Sequence, residues 1–306
     1  MQVHVIDVHR LVKILPELQP EEIQVLQTLE EMTHRFKYAP VEEIKSRIAI
    51  DGEEVLFLLS KLNKKGLVQR KKERYLGYLI SQVGYDALAL YDLAQKDVII
   101  SLGQPYGVGK ESTVYRALDV GNQEVAVKFL RWGRTSFRRV RRLRTLKGKS
   151  LHSWMDFSQR AATREFAALK ILENAGGKVP RPIAVNRHVI VMSSISGVLL
   201  LNISELNNAQ DILDQIIQQV RLAYHKAELI HGDLSEYNIF VNENNEITLF
   251  DWPQWQPLTH PNALWLLRRD LRNITTFFRR RFRIISDVEK TLARVIANPN
   301  EKKRND

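Results

Sequence analysis

Apolar residues in the first third of the chain recur at helical spacing in three separate blocks. Pro20-Glu21-Glu22 opens the first, with Ile23, Leu26, Leu29 and Met32 on one face and the acids at the positive end of the helix. Pro40-Val41-Glu42-Glu43 opens a second, short helix. Asp51-Gly52-Glu53-Glu54 starts a third, with Val55, Leu58, Leu59 and Leu62 inward and Gly66 as its C-cap after Lys64-Lys65. The period then drops to two. Leu67-Val68-Gln69-Arg70 and Tyr75-Leu76-Gly77-Tyr78-Leu79 alternate around Lys71-Lys72-Glu73-Arg74, which predicts a hairpin with a basic tip. A further helix from Tyr85 to Lys96 leads out of this region, and from Val98 the pattern turns strand-like, helical and strand-like again. The expectation is an α+β protein: a small helical domain over about 1–97, then a catalytic domain over 98–306.

Three helices followed by a basic wing resemble a winged helix-turn-helix, a fold that serves both nucleic-acid binding and protein docking. Composition sets further bounds. The 306 residues suffice for two domains with sizeable cores, and the absence of cysteine removes disulfides and thiolate metal sites. The start, Met1-Gln2-Val3-His4-Val5-Ile6-Asp7, lacks the pattern of a signal peptide, and no apolar run approaches the roughly 20 residues that span a bilayer. A cytoplasmic protein without membrane contact is the default expectation. The net charge of +11 is clustered: Arg134, Arg138, Arg139, Arg141, Arg142, Arg144 and Lys147 lie between Arg131 and Lys149 with no acid among them. A second cluster is Arg279-Arg280-Arg281-Phe282-Arg283. Uncompensated basic patches of this density favour a polyanion, with RNA or a ribonucleoprotein ahead of a merely solvated helix face.

The most informative stretch is His231-Gly232-Asp233-Leu234-Ser235-Glu236-Tyr237-Asn238, followed by Phe250-Asp251-Trp252. A turn at Asn245 between Phe240-Val241 and Ile247-Thr248 predicts a hairpin with Asn238 and Asp251 at its open ends. An Asp, an Asn five residues on and a second Asp are what phosphoryl transfer needs: one carboxylate at the accepting nucleophile and two groups that hold magnesium against phosphate oxygens. Upstream, Gly107-Val108-Gly109-Lys110-Glu111-Ser112 is a Gly-rich turn between strands, where backbone N–H groups can approach phosphates. It is no Walker loop, because Gln104 and Glu111 stand where Gly and Ser or Thr are required. In Glu124-Val125-Ala126-Val127-Lys128-Phe129 a single Lys sits in an apolar strand, a costly placement unless an anion meets it. Glu165 is the candidate to hold Lys128, its rival reading being an exposed helix Glu paired with Arg164 or Lys170; Phe166, Leu169, Ile171 and Leu172 are the expected helix contacts. Val189-Ile190-Val191-Met192 leads to Ser193-Ser194-Ile195, a hinge between an N-lobe of about 98–192 and a C-lobe of about 196–306. Backbone groups of Met192, Ser193 and Ile195 are the candidates for an adenine edge. The joint order predicts nucleotide-dependent phosphoryl transfer with ATP and Mg2+ or Mn2+.

Several features depart from ordinary protein kinases. Gly232 replaces the Arg that ties the catalytic Asp to a phosphorylated loop, Pro253 restricts the turn after Asp251, and only 55 residues follow Asp251. A truncated substrate lobe is expected. Gly107 to Ser112, Val127-Lys128-Phe129, Thr135-Ser136-Phe137, His231 to Asn238, Asp251-Trp252-Pro253-Gln254, Arg269-Asp270-Leu271-Arg272-Asn273-Ile274 and Phe277-Phe278 together resemble the RIO-type atypical serine/threonine kinases. The resemblance is to the second, winged-helix-bearing subfamily in its shorter, archaeal style, and covers nearly the whole chain; the family's usual Phe is Trp252 here. It implies a truncated two-lobed kinase-like domain, magnesium-ATP binding, autophosphorylation and a role in maturation of the small ribosomal subunit. Carried over, Gly107, Gly109, Lys110, Glu111, Ser112 and Lys128 would contact the nucleotide, Asp233 would be the catalytic Asp, and Asn238 and Asp251 would hold magnesium. Asp251 is also the candidate aspartyl-phosphate, which would make the protein a slow ATPase switch. The segment with Arg138, Arg139, Arg141 and Arg142 would contact ribosomal RNA in a precursor small subunit, and the free protein would be a monomer.

Three other readings compete. A small-molecule kinase of the aminoglycoside or choline type also uses His-Gly-Asp, Asn and Asp-Trp, but has no role for the winged helix or the basic segment. A regulator that only senses ATP would not be expected to keep Lys128, Asp233 and Asp251. An ordinary serine/threonine kinase acting on separate proteins is disfavoured by the short C-terminal region.

Overall fold

The computed structural model describes residues 8–109, 111–131 and 154–297. The chain divides into two compact units, Met1–Ala162 with Ala184–Val191, and Thr163–Ile183 with Met192–Asp306.

The first unit begins with helices α1 (Val8–Ile14) and α2 (Pro20–Met32), strand β1 (Ala39–Pro40), and helices α3 (Val41–Lys45) and α4 (Gly52–Lys65). Strands β2 (Val68–Lys72) and β3 (Leu76–Ile80) form the wing, and α5 (Gln82–Gln95) follows. Sequence reading finds all of these except α1 and β1. The apolar faces predicted for α2 and α4 are buried, and Gly66 ends α4 at φ +79°, a conformation that favours glycine. Strand β2 runs two residues further into the basic tip than alternation suggests, while β3 starts one residue later, at Leu76; Lys71 lies opposite Gly77 and Lys72 opposite Leu76. Glu22 does more than favour a helix start. Its carboxylate accepts the Gln19 N–H at 3.0 Å, completing a capping box, and lies 3.1 Å from Lys61 Nζ and 3.0 Å from Lys65 Nζ. Its side chain is fully buried, so α2 and α4 are joined by a charge cluster inside an otherwise apolar contact.

A five-stranded sheet follows, ordered β4 (Ser101–Val108), β5 (Ser112–Leu118), β6 (Glu124–Leu130), β8 (Val189–Ser193), β7 (Pro182–Asn186). Val125, Val127, Phe129, Val189, Ile190 and Val191 give it a dry core. The turn between β7 and β8 reaches back to the helical part of the same unit. Arg187, at φ +51°, places its guanidinium 2.7 Å from Glu30 and 2.6 Å from Asp92. Asp86 of α5 is buried, 2.7 Å from His188 Nε2 and 2.9 Å from Arg131. Burial pushes the Asp86 carboxyl up, but Arg131 and His188 together hold it below the ordinary carboxylate range. Paired charges at this depth fix geometry, because either partner left alone would be strongly destabilising. The winged helix is therefore anchored to the sheet by ion pairs inside one unit.

Helix α6 (Trp154–Asn174) gives its second half to the other unit and is much longer than the 164–172 segment read from sequence. Ile171 is 40 % exposed, so it is not one of the helix contacts expected of it; Phe166, Leu169 and Leu172 are buried as expected. The second unit continues with β9 (Val198–Leu199), α7 (Ala209–Leu222), β10 (Leu229–Ile230), β11 (Ile239–Val241), β12 (Ile247–Leu249), β13 (Gln256–Pro257), α8 (Ala263–Phe282) and α9 (Val288–Ile296). Strands β12, β11 and β9 make one small sheet, β10 and β13 another. Ile212, Leu213 and Ile216 of α7, Leu271, Ile274 and Phe278 of α8, and Leu292 and Val295 of α9 form the helical core. Arg279, Arg280 and Arg281 lie exposed in the last turn of α8, where cations complement the helix dipole. Arg138, Arg139, Arg141, Arg142 and the rest of the first basic cluster lie outside the described residues, as does Lys110.

Candidate active site

The hairpin of β11 and β12 pairs Ile239 with Leu249 and Val241 with Ile247, with Asn245 at φ +56° in its turn. Its open end is closed by the Phe250 N–H donating to the Asn238 carbonyl at 3.0 Å, which brings Asn238 and the start of Asp251 together as the spacing predicts. Asn238 is buried and its Nδ2 donates to the Asp233 carbonyl at 3.0 Å. With the amide nitrogen engaged, Oδ1 remains as an acceptor atom. Asp251 follows at φ +65°, outside the strand conformation, and Asp233 is exposed to solvent. Among the described residues no group of three or more His, Cys, Asp or Glu is placed to hold a metal by itself. One carboxylate and one amide oxygen suit a hard cation that takes its other ligands from water and phosphates, the usual habit of magnesium.

The loop carrying Asp233 is held from below. Asp270, on α8, accepts the Gly232 N–H at 2.8 Å and the Leu234 N–H at 3.2 Å, and Asn273 Nδ2 donates to the Leu234 carbonyl at 3.1 Å. The Arg269 guanidinium donates to the Gly232 carbonyl and lies over the Trp265 ring. Burial, the largest influence, raises the Asp270 carboxyl to about 7. The two N–H donors and Arg269 oppose that rise, and Asp233 adds to it. His231 donates from Nε2 to the Phe250 carbonyl at 3.2 Å and packs its ring against Trp252, 4.4 Å between centroids. Trp252 is 2 % exposed, so the large ring after Asp251 serves the core.

Gly232 has a second explanation beyond a lost regulatory Arg. Its φ is +75°, and a Cβ there would stand 2.7 Å from the Gln254 carbonyl oxygen. The segment after Asp251 thus lies directly on the loop that carries Asp233, and Gln254 Nε2 donates to Asp233 Oδ2 at 3.2 Å. Trp255 anchors the same segment to α6. Its Nε1 donates to the Arg164 carbonyl at 2.9 Å, the Arg164 guanidinium returns a bond to the Trp255 carbonyl, and that guanidinium lies 4.5 Å from the indole centroid. Glu165 is 1 % exposed, which overturns the reading of it as an exposed helix glutamate. Ser193 gives its N–H to the Arg181 carbonyl and accepts the Arg181 N–H on Oγ, both at 2.9 Å. Of its backbone groups only the carbonyl can then serve an adenine edge, a correction to the broader expectation. Met192 is buried and Ile195 half-buried.

In the first unit, β4 runs through Val108, so Gly107 belongs to a strand and Gly109 to the turn. The Gly109 N–H donates to Ser112 O at 2.8 Å, and Glu111 O accepts the Arg131 N–H at 2.6 Å. Lys128 stands opposite Val114 and is 4 % exposed, as deeply placed as the apolar strand around it requires. Asp270, Gln254 and the Trp255–Arg164 clamp make contacts around the site that spacing alone does not single out. Their partners lie 38, 21 and 91 residues away.

A hairpin-borne Asn and Asp beside a carboxylate loop anchored from a following helix define a kinase-like phosphoryl-transfer site. Comparison with known proteins narrows this. The RIO domain model matches residues 113–291, and the model for the N-terminal domain of Rio2 matches residues 15–96. The RIO-type serine/threonine-protein kinase Rio2 of Methanocaldococcus jannaschii is 38 % identical over 260 residues, covering 83 % of this chain and 94 % of that one. Rio2 of Dictyostelium discoideum is 40 % identical over 228 residues, covering 74 % of this chain and 43 % of that one. Among solved structures, a Rio2 kinase–ADP/Mg2+–phosphoaspartate complex from Chaetomium thermophilum superposes with a TM-score of 0.80 at 32 % identity, covering 94 % of this chain and 90 % of that one. The chain belongs to the RIO kinase family, in its Rio2-type subfamily.

Proposed function

We propose that this protein is an ATP-dependent RIO-type serine/threonine kinase and ATPase that phosphorylates itself on Asp251 and acts as a switch in maturation of the small ribosomal subunit. The observation that supports the chemistry is the closed hairpin end, where the residue before Asp251 bonds to the Asn238 carbonyl while Asn238 also holds the Asp233 backbone. Asn238 and Asp251 would hold Mg2+ or Mn2+, which supplies charge neutralisation at the transferring phosphoryl group. Lys128 is the expected phosphate contact, and Asp233 the carboxylate that manages protons. The phosphoaspartate in the Rio2 kinase complex from Chaetomium thermophilum supports Asp251 as the acceptor here. The ribosomal part rests on family resemblance and on the uncompensated charge between Arg131 and Lys149, which suits ribosomal RNA in a precursor particle. A cytoplasmic, monomeric free form fits the same role. The small-molecule-kinase alternative offers no part for residues 15–96.

The test is incubation with radiolabelled ATP and magnesium, expecting an acid-stable, hydroxylamine-labile phosphoenzyme that Asp251→Asn abolishes. Full hydrolysis and label in Asp251→Asn would refute the switch. For the partner, joint neutralisation of Arg138, Arg139, Arg141 and Arg142 should release the protein from precursor small subunits. Salt-insensitive binding that survives it would exclude the RNA reading.

A further inference from the structure

Gln254 is held in place by more than its own side chain. Trp252 is buried on one side of it, Trp255 is bonded to Arg164 on the other, and Gln256 Nε2 donates to the Gln254 carbonyl at 3.2 Å. Gly232 admits that carbonyl where any side chain would collide, 2.7 Å from a Cβ. The result is an exposed Gln254 whose amide is delivered to one oxygen of Asp233, Nε2 to Oδ2 at 3.2 Å, three residues after the candidate acceptor Asp251.

We infer that Gln254 is a positioning residue for the hydrolytic half of the cycle, orienting Asp233 to activate the water that removes phosphate from Asp251. The inference rests on the reading of Asp251 as phosphate acceptor. The two halves of the cycle make different demands. When an Asp251 oxygen attacks the terminal phosphorus of ATP, the bond from that phosphorus to the bridging oxygen breaks and ADP leaves with the electron pair; the nucleophile is already a carboxylate and no base is needed. When water attacks the acyl phosphate, its oxygen bonds to phosphorus and the bond to the Asp251 oxygen breaks. The electron pair stays on the Asp251 carboxylate, and the water gives a proton to Asp233. Inorganic phosphate and free Asp251 result, with no further reactant. A base is needed only here. A primary amide suits the task, because its N–H2 fixes one carboxylate oxygen while its Oε1 remains an acceptor for the second proton of the water.

The test uses the full chain with terminally labelled ATP and magnesium, following formation and decay of the hydroxylamine-labile label by rapid quench and cold chase. In Gln254→Ala the label should form within about twofold of the wild-type rate, decay roughly tenfold more slowly and accumulate to higher occupancy. Gln254→Glu keeps the size of the side chain but has no N–H to give Asp233 Oδ2, so it should slow decay as Gln254→Ala does while formation is kept, a split that a purely structural role would not produce. Unaltered decay in Gln254→Ala, or formation and decay falling together, overturns the inference while leaving Asp251 as acceptor. Absence of label on a wild-type protein that hydrolyses ATP overturns the acceptor reading and this inference with it.

Discussion

Replacing Asp270 by Ala tests how the catalytic loop is held, and the outcome should depend on pH. The side chain is 1 % exposed and is the shared acceptor for the Gly232 and Leu234 N–H groups on either side of Asp233. Removing it strands two backbone donors, at about 1–3 kcal/mol each. Against this, a carboxyl whose folded pKa is raised from 3.8 to about 7 is itself held in an unfavourable ionised form at higher pH. The folded value lies above the unfolded one, so the contribution of Asp270 to stability is fully present below the unfolded pKa and is lost as pH rises through about 7. Between about pH 5 and about pH 8 that loss amounts to about 2–3 kcal/mol. The destabilisation caused by Asp270→Ala should therefore be larger at about pH 5 than at about pH 8 by that amount, all other titrating groups being common to both proteins. Hydrogen exchange of a peptide covering residues 229–240, with urea unfolding of the same samples, reports the local and global terms separately. An equal effect at both pH values would show that Asp270 is ionised throughout, held by its two N–H donors and Arg269.

Two further outcomes follow from buried contacts. Burial acts to raise the Glu22 carboxyl, but the Gln19 N–H, Lys65 and Lys61 outweigh it and hold the group below its ordinary value. Its stabilisation is therefore present above the unfolded carboxylate pKa and is lost as pH falls through the lowered one. Glu22→Ala should destabilise the winged helix by about 2 kcal/mol at neutral pH, measured by urea unfolding, with a smaller effect in acid. An unchanged midpoint would mean the cluster contributes no net stability. Trp255→Ala removes the bond to Arg164 and the stacked guanidinium. It should release the segment around Glu165, raising the KM for ATP with a smaller change in kcat and faster hydrogen exchange over residues 160–168. Wild-type kinetics would show that the clamp has no functional role.

Most of the secondary structure was legible because each element has a local cause. Helix α4 carries its start at Asp51, its apolar stripe and its stop at Gly66, and the hairpin that presents Asn238 and Asp251 is fixed by alternation around Asn245. Lys128 was legible as a buried Lys for the same reason, an apolar strand on both sides of it. Helix α1, only seven residues long, and the first turns of α6 were not read from the sequence. Ile171 was misplaced because adjacent apolar positions on a helix cannot all face one core.

By itself the sequence determined which groups could do chemistry: the order of Lys128, Asp233, Asn238 and Asp251, the class of reaction they suit, and the glycine that makes the loop unusual. Only the tertiary structure decided how those groups are held. Asp270 under the catalytic loop, Gln254 on Asp233 and Trp255 on Arg164 join residues far apart in the chain, through hydrogen bonds that no local periodicity encodes. Gly232 belongs to both accounts. It reads in sequence as a missing Arg and in space as room for the Gln254 carbonyl, because a backbone approach of that kind depends on where the rest of the chain has folded.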